Sequence, residues 1–448
     1  MQKKKTFWLP LIVSVLLTLI ATACGPTKST GTTTTPSAPP TVPAGESLYI
    51  LDGYGSSTNG STGQRIIAFQ PGNTNAGSLL TLSAGLFSQD HRRIYTATAQ
   101  NGQTTIRITN SQTGATLRSF TIAGTYSMST QSYGTTSFLA GGQGYDTAVL
   151  SVDGRWLALR QQGQTGESTF AVVDTQAGKL VKTVRLDRAS YQSDFYLDSI
   201  SPDGAELYLL QYLTQQPGRY YVRAYDLRAN QLVTNIIADK SELNDPRMIG
   251  SAVARQMSKD GWYAYTLYVD TDRNIAFVHI LPMNQHDSNN PPYFARCIDL
   301  PAGKSGALLR YYTLTLSDDG TTLYAANAAL GTVSTIMLTN IIFNDDIRST
   351  INFQVGDINV TNGDKTRMLH NAAALSPDQK TLYVAGTRGI WAIDTSTLSL
   401  REHYATSQMF TGLASSADGK TLYGVYPTTG ITLVNVTSGQ TQQLAQSP

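Results

Sequence analysis

The residues of this chain most able to do chemistry are its histidines, and their spacing limits what that chemistry can be. None of them belongs to a His-Glu-x-x-His motif or lies at metal-ligand spacing from a cysteine. The chain also has no Gly-x-Ser-x-Gly nucleophile motif and no phosphate-binding Walker loop. We therefore predict no metal, no cofactor and no catalytic residue. The histidines are His91, His279, His286, His370 and His403.

A second group of candidate residues occupies one repeated position, eight residues before the Asp of a recurring Ser-x-Asp turn. If the strands that carry this position surround an axis, as argued below, the side chains lie on one ring, and aromatic rings at a channel mouth can bind a ligand. The alternative is that they plug the channel or pack between sheets. The position holds Leu82, Tyr145, Phe195, Ala252, Tyr311, His370 and Phe410. The predicted ligand-binding residues are Tyr145, Phe195, Tyr311, His370, Asn371 and Phe410.

The turn itself defines a repeat. Its Asp can accept hydrogen bonds from backbone N–H groups two residues on, and the Gly that usually follows supplies a positive φ, so we interpret the Asp as a turn residue. Successive copies are 63, 50, 57, 59, 59 and 40 residues apart. Such periods indicate blades of a β-propeller. The turn residues are Asp90, Asp153, Asp203, Asp260, Asp319, Asp378 and Asp418.

The strands that follow the turns are apolar on both faces. In Thr381 to Ala385, Leu382 and Val384 alternate with Tyr383 and Ala385, which is typical of a strand covered on both sides. A second apolar strand recurs after each of these, and no helix-period segment interrupts the pattern. We therefore predict an all-β fold, a β-propeller of four-stranded blades.

The number of blades follows from counting hairpins. The second strand of the hairpin occurs eight times, whereas the Ser-x-Asp turn occurs seven times, because the Leu-Tyr strand at 47–52 has no such turn before it. This count favours eight blades, the first of which lacks or borrows its inner strand. Seven blades remain the alternative.

The repeats resemble a known family. The segments TLYVAG with WAIDTSTL, and SPDG-ELYLL with VVDTQAGKLVKTV, resemble YVTN-type β-propeller repeats, the group related to the YncE-like proteins and to the lactonase-like propellers. WD40 repeats fit less well, because no Trp-Asp pair closes the strands. The resemblance covers nearly all of 47–448 and implies a fold rather than an activity. In the lactonase-like family a His near the turn often serves the site, which directs attention to His370 and Asn371, preceded by Arg367.

The N-terminal sequence predicts where in the cell the protein is located. Lys3, Lys4 and Lys5 precede a short apolar run, Trp8 to Ile20, and small residues then lead to Cys24, which is the pattern of an export signal. It resembles the lipobox of bacterial lipoproteins, which implies that Cys24 carries lipid. The alternative is an ordinary cleaved signal with a chance Cys. We predict a signal peptide at 1–23, a Thr/Pro-rich disordered tether at 24–45 and the propeller at 46–448. We expect the lipid on Cys24 to anchor the protein to the membrane of the bacterial cell envelope, on its extracytoplasmic side.

Net charge and composition limit the classes of partner that this chain could bind. The formal net charge of +2 becomes −1 once Lys3, Lys4 and Lys5 leave with the signal, so the chain has no electrostatic footprint for nucleic acid. Cys297 is interpreted as a buried, small apolar residue.

Two functions are compatible with this sequence. The first is a binding or scaffold module for a protein or glycan of the cell envelope. The alternative is a hydrolase that resembles the lactonase family, with its site in the central channel. That site would need several acid/base groups to converge. The groups available near inner strands are His370, Asp146, Asp194 and Asp198.

Overall fold

The structure, a computed structural model, divides the chain into two compact units, Met1–Ala38 and Pro39–Pro448. The described residues all lie in the second unit. The predicted signal, Cys24 and the whole of the predicted tether lie outside them. The described ranges are 48–52, 65–69, 79–83, 85–126, 128, 147–161, 166–239, 245–284, 294–303, 306–339, 347–352, 372–386, 388–426 and 430–444.

The described strands form antiparallel meanders, which we number in chain order. The first holds β1 (Leu48–Asp52), β2 (Arg65–Phe69) and β3 (Leu79–Ser83). The second holds β4 (Leu86–Phe87), β5 (Arg93–Gln100), β6 (Gln103–Asn110) and β7 (Thr116–Ala123). The third holds β8 (Ala148–Leu150), β9 (Trp156–Arg160), β10 (Glu167–Asp174) and β11 (Lys179–Asp187). The fourth holds β12 (Ser193–Ile200), β13 (Glu206–Leu213), β14 (Tyr220–Asp226) and β15 (Gln231–Asp239).

The remaining meanders have the same plan. The fifth holds β16 (Ser251–Met257), β17 (Tyr263–Asp270), β18 (Ile275–Pro282) and β19 (Phe294–Asp299). The sixth holds β20 (Tyr312–Leu316), β21 (Thr322–Asn327), β22 (Thr332–Met337) and β23 (Ile347–Asn352). The seventh holds β24 (Ala373–Leu375), β25 (Thr381–Gly386), β26 (Gly389–Asp394) and β27 (Leu400–Tyr404). The eighth holds β28 (Gly412–Ser415), β29 (Thr421–Tyr426), β30 (Gly430–Asn435) and β31 (Thr441–Leu444).

Helices are short. An α-helix, α1 (Arg188–Tyr191), precedes β12, and a 3-10 helix (Gly306–Tyr311) precedes β20. Within the described part of the chain, no helix is long and apolar enough to cross a membrane. The nearly all-β content that the sequence predicts is therefore confirmed.

Two neighbouring meanders are joined. The outer strand β15 pairs in parallel with β19 through Ala238 with Phe294 and Asp239 with Ala295. The fourth and fifth meanders thus form one eight-stranded sheet. A parallel pair is possible here because the two strands belong to separate meanders and need no tight hairpin between them.

The Ser-x-Asp turns have the hydrogen bonds that the sequence predicts. In the seventh meander, Ser376 Oγ donates to Asp378 Oδ1 over 2.6 Å, and the Lys380 N–H donates to the same oxygen over 3.2 Å. The residue after the Asp is left-handed even where it is not Gly, with φ of 54° at His91 and 61° at Gln379. These Asp residues therefore hold a turn, and the interpretation is confirmed.

Successive turns pack against the preceding meander. The turn residue Gly204 lies against the Trp156 indole so closely that any Cβ would collide with it. Gly154 lies in the same way against Tyr95 of the second meander. Between the sixth and seventh meanders, the Asp318 N–H donates to Gln379 Oε1 over 3.0 Å. Turns from consecutive repeats therefore lie side by side.

The strand β25 is apolar on both faces, and each face belongs to a different hydrophobic cluster. Leu382 and Val384 pack with side chains of the sixth meander. Tyr383 and Ala385, from the same strand, pack with side chains of the eighth. The alternation read from the sequence thus places a neighbour on each side of β25, as expected for a strand that is buried on both faces.

The first meander contacts both the second and the eighth. Tyr49 packs beside Leu82 and Ile94, and its ring lies 5.2 Å from that of Phe87. Leu48, on the opposite face of β1, packs against a cluster of the eighth meander that includes Tyr423. The N-terminal and C-terminal meanders of this unit are therefore in contact.

Candidate functional site

A polar row crosses the otherwise apolar face of the fifth meander. Arg255 of β16 pairs in register with Thr266 of β17, which pairs with His279 of β18, which pairs with Cys297 of β19. Side chains at paired positions lie on one face of a sheet. This face packs against the fourth meander, together with Tyr268 and Phe277.

Two carboxylates of the fourth meander face this row. Asp198 lies at a β-bulge of β12, where the register shifts between Leu197 and Ser199. A bulge changes the direction of a side chain. Asp198 forms an ion pair with Arg255, in which the two side chains are 3% and 10% exposed. Arg255 also donates through Nε to Thr266 Oγ1 over 2.9 Å.

The second carboxylate lies where the two meanders join. Asp239, the last residue of β15, accepts a hydrogen bond from the Cys297 N–H and forms an ion pair with Arg296 at 3.6 Å. Cys297 is not part of a disulfide and is only partly buried, which corrects the prediction that it is buried. We call Asp198, Asp239, Arg255, His279 and Arg296 the charge cluster.

His279 is buried between the meanders and is held neutral. Burial lowers its pKa to about 4, and the nearby Arg255 acts in the same direction, while Asp198 and Asp239 oppose them. Desolvation outweighs the two carboxylates because an imidazolium here would lose its hydration. Its Nε2 atom is buried and has no hydrogen-bond partner among the described residues.

The charge cluster links the fourth and fifth meanders and is buried between them. Its ion pairs connect β12 to β16 and β15 to β19, so they fix the position of one meander against the next. Among the described residues, no group of three or more His, Cys, Asp or Glu side chains is arranged to hold a metal ion. Buried, mutually paired charges of this kind restrain a structure.

Aromatic residues cluster where β12 begins, and Tyr196 and Tyr212 among them are partly exposed. The Arg160 guanidinium lies 4.0 Å from the centroid of the Tyr196 ring, and the Tyr196 and Tyr212 rings meet edge to face at 5.6 Å. Nearby, Tyr191 is 39% exposed and contacts the Phe195 ring edge to face at 5.3 Å. We call Arg160, Tyr196 and Tyr212 the tyrosine patch. Tyr191 lies beside Phe195, whose side chain is on the opposite face of β12 from that of Tyr196. Cation–π and edge-to-face contacts orient these rings before any ligand arrives.

The rim residues predicted from the repeat lie in packed surroundings wherever the structure describes them. Phe195 and Phe410 are fully buried, and Phe410 contacts Gly424 so closely that a Cβ there would collide with its ring. Tyr311 ends the 3-10 helix and packs against Ala372. These positions match the packing alternative, and their ligand role stays a prediction. Tyr145, His370 and Asn371 lie outside the described residues.

One position of the predicted ring is wrong. Leu82 lies on β3, the third strand of the first meander, and packs against Ile94. It is therefore not on an inner strand. The inner strand β4 contains only Leu86 and Phe87. The position eight residues before Asp90 therefore lies before β4, in the preceding meander.

The carboxylates considered for a hydrolase are engaged in ion pairs. Asp198 is paired with Arg255 inside the charge cluster. Asp194, on the same strand, is paired with Arg188 at 3.3 Å near the surface. Asp146 and His370 lie outside the described residues.

The charge cluster and the tyrosine patch were not found as groups from the sequence. Their members belong to different repeats, so no local spacing connects them. A signal does exist, because Asp198 in FYLDSI, Arg255 in AVARQM and His279 in AFVHIL each interrupt an apolar strand. An isolated ionisable residue in a strand buried on both faces needs a partner.

We predict that His279 makes the protein less stable in mild acid. Its pKa is about 4 in the folded protein and 6.5 ordinarily, so the unfolded chain takes up the proton first, and stability falls as the pH drops from about 6.5 to about 4. The loss is about 3 kcal/mol. It should be absent in His279→Phe and His279→Gln, measured by urea unfolding at several pH values. A wild-type protein with the same pH profile as both variants contradicts the assignment.

The turn carboxylates act in a lower pH range. Hydrogen bonds from Ser317 and Ser376 hold the pKa values of Asp319 and Asp378 below their ordinary value. Their contribution is present above the ordinary pKa of an Asp, about 3.9, and is lost as the pH falls through the lowered value. Between pH 5 and 7, the unfolding free energy therefore changes with the protonation of His279 and not with that of the turn carboxylates.

We predict that replacing one partner of the Asp198–Arg255 ion pair lowers the unfolding free energy more than replacing both partners with apolar residues. Asp198→Asn leaves the Arg255 charge buried without its counter-ion, at a cost of about 3–5 kcal/mol in unfolding free energy. Asp198→Leu with Arg255→Met should recover most of that loss. Asp194→Asn, at the exposed pair with Arg188, is the matched control and should cost at most about 1 kcal/mol. Equal losses at both sites would show that the burial of the first pair is unimportant.

Comparisons with known proteins give likenesses of fold and no family. No family model and no curated protein matches this chain. The Swd1 (Cps50) β-propeller domain of Myceliophteria thermophila is 11% identical, with 81% of this chain and 96% of that chain covered and a TM-score of 0.40. The hydrazine synthase of Kuenenia stuttgartiensis is 13% identical over 81% and 94%, with a TM-score of 0.39. The dihydro-heme d1 dehydrogenase NirN is 14% identical over 89% and 73%, with a TM-score of 0.49. At these scores, the likenesses carry no argument about function.

Proposed function

We propose that this chain is a lipid-anchored β-propeller of the YVTN type, with eight blades, that acts as a binding or scaffold module for a protein or glycan of the bacterial cell envelope. Each meander is one blade in this proposal. The order of the hydrophobic clusters supports the blade count, because they join the meanders consecutively and Leu48 of the first meander packs against the eighth. A sheet with two apolar faces needs two neighbours, and a closed ring supplies both to every sheet.

The tyrosine patch carries the binding part of the proposal. Tyr and Arg are the side chains that most often dominate binding energy at interfaces, because they offer large contact area together with a polar group. Here Arg160, Tyr196 and Tyr212 hold one another in place, so a ligand would lose little side-chain freedom on binding. The ionisable groups next to the patch favour binding over catalysis, since Asp194 and Asp198 are committed to ion pairs.

Site-specific photo-crosslinking in intact cells tests this function. Benzoylphenylalanine replaces Tyr212, which is partly exposed in the patch, or Leu400, which is 49% exposed on β27 and serves as the control. We expect a discrete adduct at Tyr212 that disappears when Tyr196→Ala is added, and none at Leu400. Digestion of the adduct with protease or with glycan hydrolases then separates a protein partner from a glycan. No adduct, or equal adducts at both positions, contradicts the proposal.

The anchor has its own test. Cells that are fed an alkyne-tagged fatty acid should label the full chain, and Cys24→Ser should lose the label and leave the membrane fraction. Cys297→Ser is the control that keeps the label, because Cys297 lies on β19. Labelling that survives Cys24→Ser would mean that the lipid, if any, is attached elsewhere.

A further inference from the structure

Arg223 carries a buried positive charge in the middle of β14. The residue is 9% exposed and pairs in register with Leu209, whose side chain belongs to the cluster shared with the third meander. Side chains at paired positions lie on one face of a sheet, so Arg223 is on the face towards the third meander. Burial lowers the pKa of its guanidinium, but an Arg side chain remains charged at physiological pH.

The groups that accept hydrogen bonds from this guanidinium are all neutral. Its Nη1 atom donates to Gln211 Oε1 over 2.6 Å. Its Nη2 atom donates to the Val233 carbonyl over 2.6 Å and to the Thr234 carbonyl over 3.4 Å. Within the described part of the chain, no carboxylate forms an ion pair with Arg223. The charge is therefore held in place without being neutralised.

One donor of the guanidinium has no acceptor. The Nε atom of Arg223 is buried and has no hydrogen-bond partner among the described residues. Arg255, which is also buried, has both an acceptor at Nε, Thr266 Oγ1, and a counter-ion, Asp198. A buried donor without an acceptor and a buried charge without a counter-ion each cost free energy. An oxyanion at Nε would remove both deficits, whereas a water molecule would remove only the first.

A chain of hydrogen bonds leads from Arg223 to the surface. Gln211 donates through Nε2 to Ser193 Oγ over 3.0 Å, and Ser193 donates to the Tyr191 carbonyl over 2.9 Å. Tyr191 ends α1 and is close enough to Arg223 to interact with it electrostatically. No residue of α1 is buried, and residues 187–192 are all exposed. Displacing this segment uncovers little apolar surface, which gives an anion a way in from solvent.

The carboxylates on either side of α1 are already engaged. Asp187 caps the helix and accepts a hydrogen bond from the Ser190 N–H over 2.7 Å. Asp194 is paired with Arg188 at 3.3 Å. Among the described residues, the negative charge that Arg223 lacks therefore has no source.

We propose that Arg223 binds an oxyanion, a carboxylate or phosphate group of a ligand, between the third and fourth meanders, with Tyr191 at the entrance. Charge-assisted hydrogen bonds to such groups are the strong ones, and Gln211 and Val233 already hold the guanidinium in one orientation. The site lies on the opposite face of β12 from the tyrosine patch. The inference therefore does not depend on the partner proposed for that patch.

Nuclear magnetic resonance of the full chain, labelled with ¹⁵N in its arginine side chains, tests the site directly. Sodium acetate or inorganic phosphate is added at constant ionic strength. We expect the Nε–H signal of Arg223, identified by its loss in Arg223→Lys, to shift and saturate with acetate if the site takes carboxylates and with phosphate if it takes phosphate groups. The matched control is the Nε–H signal of Arg255, identified in Arg255→Lys, which should not shift. No saturable shift at Arg223 with either anion, or the same shift at both arginines, overturns the proposal.

Urea unfolding supplies a second measurement. An anion that binds only the folded protein lowers the unfolding equilibrium constant, by about tenfold at a concentration about ten times its dissociation constant. Arg223→Met should lose this effect, yet be at least as stable as wild type without the anion, because the charge that it removes has no counter-ion. Arg255→Met, which leaves Asp198 unpaired, should be less stable but keep the effect of the anion. An equal effect of the anion on wild type and Arg223→Met contradicts the proposal.

Discussion

The structure depends on one constraint: most of the strands that follow a Ser-x-Asp turn are buried on both faces. A sheet built from such strands would expose one face to water if it had a single neighbour, at a cost of about 25 cal/mol for each Å² of apolar surface. Tyr383 and Leu382, adjacent in one strand, are buried in different clusters. The meanders are therefore stable only as neighbours of one another, and Leu48 of the first packs against the eighth.

The outer strand of a meander has an unpaired edge, which could pair with a strand of another molecule. The outer edges of the meanders show how this fold avoids such association. In the third meander, the register of β10 and β11 shifts between Val172 and Val173, and Val181 opposite that shift is 47% exposed. Leu117 occupies the equivalent place in β7 and is 53% exposed. Bulges and neighbouring cations such as Arg118 disturb the regular edge that another strand would need. These exposed apolar residues are thus consequences of bulges.

The parts of the fold that local chemistry dictates could be predicted from the sequence. The turn at Asp378 and the strand after it follow from hydrogen bonding and alternation within a few residues. The ring of candidate residues was less predictable, because β4 has two residues whereas β12 has eight, so one offset cannot describe both. The pairing of Asp198 with Arg255 lies outside local reasoning altogether, since the two residues belong to different repeats.

The charge cluster explains why the fourth and fifth meanders alone are joined into one sheet among the described strands. Two apolar faces in contact can shift against each other at little cost, whereas a buried ion pair tolerates no such shift, because either partner alone would be desolvated and unpaired. Asp198 pairs with Arg255 at the inner strands, and Asp239 contacts Arg296 and Cys297 at the outer ones. With both ends held, β15 and β19 lie close enough to share backbone hydrogen bonds. Tyr196 of the tyrosine patch lies on β12, one of the strands held in this way, so the patch rests on a strand that a buried ion pair restrains.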